Sequence, residues 1–212
     1  FLGSSCVYPK KAKNPIKEDY LLSDKLEKTN EAYAVAKIAG LKLCESFNNQ
    51  FNTDYRVVMP TNLYGPNDNY DELNSHVLAA LIKKILYAKL NKKSKIIVWG
   101  NGYPKREFLH TNDFADICVK IMNISKKKYF DLTGNVNQFI NVGFGKEISI
   151  RELTILICKI VNYSGKIEYD KTKPNGTFRK LIDSSKLKKI NWSPKISLKE
   201  GIKSIIENYK DF

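Results

Sequence analysis

Asn30-Glu31-Ala32-Tyr33-Ala34-Val35-Ala36-Lys37 decides how the rest of this 212-residue chain is read. Ala34, Ile38, Leu41 and Cys44 recur at helical spacing, which predicts a helix capped by Thr29 or Asn30 and running to about Asn49. A spacing of four then places Tyr33 and Lys37 on one face, one turn apart. A free phenol ionises near pH ~10, and a neighbouring ammonium is the usual means of drawing such a group towards neutral proton transfer. Any amphipathic helix surface can carry such a pair. What gives this one weight is its company: Gly3-Ser4-Ser5-Cys6 closes an apolar run upstream, and Pro60-Thr61-Asn62-Leu63-Tyr64-Gly65 closes another downstream.

Outward from that helix, short strands and helices alternate. Phe1 to Tyr8 reads as a buried strand, residues 9–28 as loop, and Tyr55 to Met59 as a β-branched strand. Gly/Pro-containing turns follow. Ser75 to about Leu90 reads as an amphipathic helix, Lys95 to Trp99 and Phe108-Leu109 as strands, and Asp113 to Ile124 as a helix. A basic polar loop then leads to the strand Phe139–Val142. Ser149 with Glu152, and Ser197 with Glu200, are capping-box patterns that open two further helices around the strand Lys166–Tyr169. Such alternation predicts an α/β fold.

Composition narrows the function classes. With 42% hydrophobic and 27% charged residues the chain is of ordinary globular make-up, and its length supports a sizeable core. No apolar stretch approaches the ~18 residues of a membrane span, and no charged leader precedes an apolar run, so no membrane association and a cytoplasmic location are expected. Four cysteines without a C-x-x-C, and only two histidines, argue against a metal site. Cys44, Cys118 and Cys158 fall in helical patterns as reduced thiols. The formal charge of +14 comes from lysines spread along the chain, apart from Lys126-Lys127-Lys128. With no nucleic-acid motif, that charge suits an anionic small molecule better than DNA or RNA.

The serine after one strand, Tyr-x-x-x-Lys on the next helix and Pro-x-Asn-x-Tyr-Gly after the following strand resemble the extended short-chain dehydrogenase/reductases. Leu2 to Lys10, Met59 to Pro66, Asn74-Ser75-His76, Val98-Trp99-Gly100, Arg106 to His110 and the Lys173 to Lys180 segment resemble, within that superfamily, the GDP-L-fucose synthases. The resemblance runs in order over essentially the whole chain. It implies the second half of a Rossmann-like parallel sheet (residues 1–62 and 107–142, a partial NADP-binding domain). It also implies a small α/β substrate-binding domain made of 63–106 and 143–212.

The implied activity is NADPH-dependent 3,5-epimerisation and 4-reduction of GDP-4-keto-6-deoxy-D-mannose to GDP-L-fucose, in a homodimer. Tyr33 would protonate the C4 oxygen, Lys37 would hold the nicotinamide ribose, and Ser4, with Ser5 as its rival, would hydrogen-bond the substrate carbonyl. Cys6 and His76 would be the base and acid of epimerisation. A thiol and an imidazole, with ordinary values of about 8.5 and 6.5, suit proton exchange beside a ketone. NADP(H) contacts are implied at Leu2, Gly3, Ser4, Ser5, Tyr33, Lys37, Pro60, Thr61, Asn62, Leu63 and His76. For the GDP-sugar they are implied at Asn62, Lys84, Trp99, Arg106, Asn175 and Lys180. Lys84 stands where some relatives have arginine, and Asn175 where aspartate is common. His110 reads as structural.

No G-x-G-x-x-G or G-x-x-G-x-x-G occurs in the chain, although a dinucleotide fold needs such a turn at a helix N-terminus. The expectation is therefore a C-terminal fragment that alone binds NADPH poorly and is inactive. Two alternatives remain: another nucleotide-sugar epimerase or dehydratase of the same superfamily, and a non-catalytic nucleotide-sugar-binding domain.

Overall fold

The computed structural model describes residues 1–71, 75–173 and 175–208. Asn74 of the Asn74-Ser75-His76 run, and Pro174 beside Asn175, lie outside the described residues. In chain order the elements are α1 (Glu31–Phe51), β1 (Val57–Pro60), β2 (Asn62–Tyr64), α2 (Val77–Leu90), β3 (Lys95–Trp99), β4 (Lys105–His110) and α3 (Thr111–Asn123). There follow α4 (Lys126–Thr133), β5 (Phe139–Val142), β6 (Glu147–Ser149), α5 (Ile150–Val161), β7 (Lys166–Asp170), β8 (Arg179–Lys180) and α6 (Leu198–Asn208). They pack as two units. The first comprises Phe1–Leu63, Glu107–Lys146 and Lys180–Lys195; the second comprises Tyr64–Arg106, Glu147–Arg179 and the described residues from Ile196 onward.

In the first unit β1 pairs in parallel with β5, Val57 opposite Phe139 through Pro60 opposite Val142, and Leu2 adds a parallel bridge to Val58. Every residue of both strands is buried, as a parallel sheet covered on both faces requires. The period of two sorts them. Val57, Met59 and Phe139 join Ile38 and Leu41 of α1, with Val7, Tyr8, Ile16, Leu21 and Ile182. Val58, Ile140 and Val142 join Phe114, Ile117 and Ile121 of α3, Tyr129 of α4, and Leu187, Ile190 and Trp192. The result is a mixed α/β, Rossmann-like arrangement of helix, parallel sheet and helix. Truncating a fully buried member such as Leu41 or Ile117 to alanine costs about 2–5 kcal/mol.

Four elements differ from the sequence expectation. Pairing at the start of the chain is confined to Phe1–Gly3, and Ser5–Val7 form a 3-10 turn because the Ser4 side chain caps it by accepting from the Cys6 N–H at 3.3 Å. Asn62–Tyr64 is a short strand rather than a turn. The basic stretch after α3 is a helix, α4, capped by Ser125 and held by Tyr129. The Tyr129 hydroxyl accepts from Val57 N at 2.8 Å and donates to Gln138 O at 2.9 Å. Finally, of the expected 143–212 segment, 143–146 and Lys180–Lys195 belong to the first unit, the latter because Leu187, Ile190 and Trp192 fill its core.

A glycine in mid-helix costs ~1 kcal/mol, and Gly40 in α1 has a packing reason. A Cβ there would lie 2.5 Å from the Phe1 ring, so the glycine admits that ring against the helix.

In the second unit β3 and β7 are parallel, from Lys95 opposite Lys166 to Trp99 opposite Asp170. Here β3 alternates, with Ile96 and Val98 buried and Lys95, Ile97 and Trp99 exposed, so one face of this pair meets solvent. Helices α2, α5 and α6 bury Ile82, Ile85, Leu153, Ile157, Ile202 and Ile205. The Ser149–Glu152 capping box forms as the sequence predicts, and Ser197 and Glu200 exchange the same reciprocal hydrogen bonds. None of the described helices is long and apolar enough to cross a membrane.

Candidate active site

Within the first unit, α1 and the turn after Gly3 bring five of the candidate residues to one region. Tyr33 is exposed at 49%. Lys37, one turn on, holds its ammonium 5.6 Å from the Tyr33 ring centroid and 5.3 Å from that of Phe1. Its Nζ donates to the Leu2 carbonyl at 3.0 Å, so the helix is tied to the strand edge that leads into Ser4. Ser4 is half-buried and Ser5 buried. Ser4 Oγ accepts from Cys6 N, which leaves its own O–H to donate.

Cys6 is a free, half-buried thiol in that capped turn. Among the described residues, two side-chain nitrogens approach its sulfur: Lys180 Nζ at 3.6 Å and Asn30 Nδ2 at 4.0 Å. Asn30 is the N-cap of α1 in position, yet its side chain makes no capping hydrogen bond. Sequence reading gave Asn30 only a capping role and placed Lys180 with the nucleotide. Neither contact leaves a local spacing, since Lys180 and Cys6 are 174 positions apart.

The downstream segment is fixed by backbone contacts. Thr61 N donates to Val142 O at 3.0 Å, and Asn62 Nδ2 donates to Glu107 O at 2.8 Å, so the Pro60–Leu63 run leaves β1 on a set course. Glu107 itself is fully buried, and sequence reading passed over it. Its carboxylate accepts from Gly145 N at 2.6 Å and Ile182 N at 3.2 Å. Burial pushes that carboxyl above the ordinary glutamate range, against the opposing pull of these N–H donors. The only sequence signal was an acid immediately before the apolar pair Phe108-Leu109 in a strand. His110 is buried at the N-cap of α3, where its Nδ1 accepts from Asn112 N at 3.1 Å, and burial lowers its pKa.

The remaining candidates lie in the second unit. His76 is exposed at the N-cap position of α2. Lys84 on the same helix donates to Ile97 O at 2.7 Å. Trp99 is 58% exposed at the end of β3 rather than a core aromatic, with Lys173 Nζ 5.5 Å from its ring centroid. Asn175 Oδ1 accepts from Asn101 N at 2.8 Å. Arg106 donates to Thr177 O at 2.6 Å, and burial lowers its pKa. Gly100 makes this approach possible: its φ is +79°, and a Cβ would stand 2.5 Å from Asn175 Oδ1. Trp99, Lys173, Asn175 and Arg106 thus gather around the turn that follows β3.

The chain and its fold match known proteins. The sequence model of the NAD dependent epimerase/dehydratase family matches residues 1–137. The chain belongs to that family. It is 48% identical over 204 residues to a GDP-L-fucose synthase of Escherichia coli (strain K12), covering 96% of this chain and 64% of that protein. It is 49% identical over 209 residues to GDP-L-fucose synthase 1 of Arabidopsis thaliana, covering 99% and 62%. Among solved structures it resembles a GDP-mannoheptose C4 reductase from Campylobacter jejuni with NADP bound, with a TM-score of 0.87 and 37% identity over 98% of this chain and 66% of that one. The chain therefore spans 64% and 62% of the length of these two curated relatives of the epimerase/dehydratase family.

Proposed function

We propose that the full-length protein converts GDP-4-keto-6-deoxy-D-mannose to GDP-L-fucose by 3,5-epimerisation and NADPH-dependent 4-reduction. The observation that carries this reading is the gathering of an exposed phenol, an anchored ammonium, a hydroxyl with a proton to donate and a thiol around α1 of a Rossmann-like unit. Identity of 48% and 49% to GDP-L-fucose synthases supports the substrate class. A nicotinamide dinucleotide suits this donor set, because Lys37 has further N–H groups for ribose hydroxyls once one is bound to Leu2 O. NADPH, when bound, supplies the hydride that reduces C4.

The rest of the chemistry falls to the chain. The C4 ketone makes the protons at C3 and C5 removable as an enolate. Cys6 takes a proton from carbon, and the His76 imidazole returns one to the opposite face. Ser4 donates to the ketone oxygen, and Tyr33 protonates that oxygen on reduction. Lys84 and Arg106 balance the diphosphate, Trp99 stacks on the base, and Asn175, its oxygen committed to Asn101 N, offers amide N–H groups to the nucleoside.

Solvent deuterium incorporation at C3 and C5, followed by NMR alongside NADPH oxidation, tests the reading in the full-length protein. Tyr33→Phe suppresses reduction and spares exchange, whereas Cys6→Ser and His76→Gln suppress exchange. Undiminished exchange in both of the latter would remove them from the mechanism. Resemblance to the C4 reductase favours a second reading, a GDP-sugar 4-reductase without epimerisation. Reduction with no exchange at either carbon would select it.

The reading includes a homodimer acting in the cytoplasm. Leu43, Phe47 and Phe51 are exposed along one side of α1, and Phe47 meets Phe51 and Tyr55 at ring-centroid distances of 5.2 and 6.0 Å. An apolar stripe of this kind suits a two-fold contact between copies. Light scattering that returned a monomer at micromolar concentration would remove the dimer.

A further inference from the structure

We propose that Lys180 is a positioning residue for Cys6, a cation that holds negative charge on the thiol sulfur and fixes where it sits. The inference rests on the reading of Cys6 as the epimerisation base. Its Nζ stands 3.6 Å from Sγ, whereas the other nitrogen near the sulfur, Asn30 Nδ2 at 4.0 Å, is neutral.

Both side chains are built on one hydrogen-bonded frame. On the thiol side, Ser4 caps the turn, and Tyr8, two residues on, donates its hydroxyl to Asn141 Oδ1 at 2.5 Å. Asn141 Nδ2 donates in turn to Ile16 O at 3.0 Å. On the lysine side, Ile16 N donates to Leu181 O, and Asp183 N to Ile16 O, each at 2.8 Å. Leu181 N donates to Asn14 Oδ1 at 2.7 Å, and Ile182 N to the buried Glu107 carboxylate at 3.2 Å. Residues 14–16 therefore grip the backbone just after Lys180 and, through Asn141, the residue just after the thiol turn.

The chemistry calls for such a partner. A thiol removes a carbon-bound proton only as thiolate, and an adjacent ammonium keeps that charge in place before the proton is taken. When Sγ receives the proton, the ammonium remains beside the newly formed enolate, so no unbalanced charge is left. Lysine suits this as a compact point charge.

The test uses the full-length protein and iodoacetamide at neutral pH, with alkylation of Cys6 followed by peptide mass spectrometry. With the ammonium removed from 3.6 Å of the sulfur, Lys180→Met slows alkylation of Cys6 about tenfold and lowers the part of the thiolate ultraviolet absorbance that Cys6→Ser removes. Lys180→Arg restores most of both. An unchanged rate in a Lys180→Met protein with wild-type thermal unfolding would overturn the assignment, as would Lys180→Arg as slow as Lys180→Met. If deuterium exchange survives Cys6→Ser, the thiol is not the base, and the alkylation comparison still decides whether Lys180 governs it.

Discussion

The ammonium of Lys37 donates to the backbone oxygen of Leu2 across 3.0 Å, so the helix that carries Tyr33 is tied directly to the strand edge that leads into Ser4 and Cys6. Lys37→Met removes this tie together with the cation beside the phenol. Reduction in the full-length protein falls by about a hundredfold or more, while deuterium exchange at C3 and C5 persists. Parallel loss of exchange would show that the tie supports the thiol turn as well.

Glu107 gives a pH-dependent outcome. Its folded value is raised by burial, so its contribution to stability is fully present below the ordinary glutamate range and is lost as pH rises through the raised value. Glu107→Gln removes that loss. Its amide sets an N–H group against Gly145 N or Ile182 N, as the O–H of the protonated carboxyl does at the acid limit. Urea unfolding from the acid limit towards neutral pH should therefore show the variant gaining stability relative to the wild type as pH rises. A constant difference would contradict the raised value.

Gly100→Ala tests the turn after β3. The positive φ disfavours alanine by about 1–2 kcal/mol, and the methyl displaces Asn175 from Asn101. The expected result is a lower melting temperature with a raised KM for the nucleotide sugar and a nearly unchanged kcat. A kcat effect without a KM effect would detach this turn from nucleotide binding.

Ser149→Ala breaks the capping box at the start of α5, where Ser149 Oγ accepts from Glu152 N at 3.1 Å and Glu152 accepts from Ser149 N at 2.9 Å. The loss is about 0.5–2 kcal/mol in urea unfolding, with activity unchanged under native conditions.

Elements with strong local signals could be read directly: α1 from its buried stripe, β3 and β5 from β-branched runs, α5 from Ser149 and Glu152. Where the sequence misled, a tertiary contact decides the structure. The Lys126-Lys127-Lys128 run looks like loop until Tyr129 is seen bonded to β1 and to Gln138 O. The apolar run from Phe1 looks like a strand, but Ser4 converts its second half into a capped turn. In the candidate site, the Tyr33–Lys37 spacing is local and legible. The approach of Lys180 to Cys6 depends on residues 14–16 and Asn141, which no short-range pattern encodes.

Because Leu187, Ile190 and Trp192 complete a core begun by Val58 and Leu109, the first unit cannot close around its sheet while its C-terminal segment is still inside the ribosome. Synthesis runs at ~5–20 residues per second, so the early strands wait seconds with an apolar face uncovered. A chaperone that binds nascent chains would find its target there, and truncation just before Lys180 would turn that passing exposure into a permanent one.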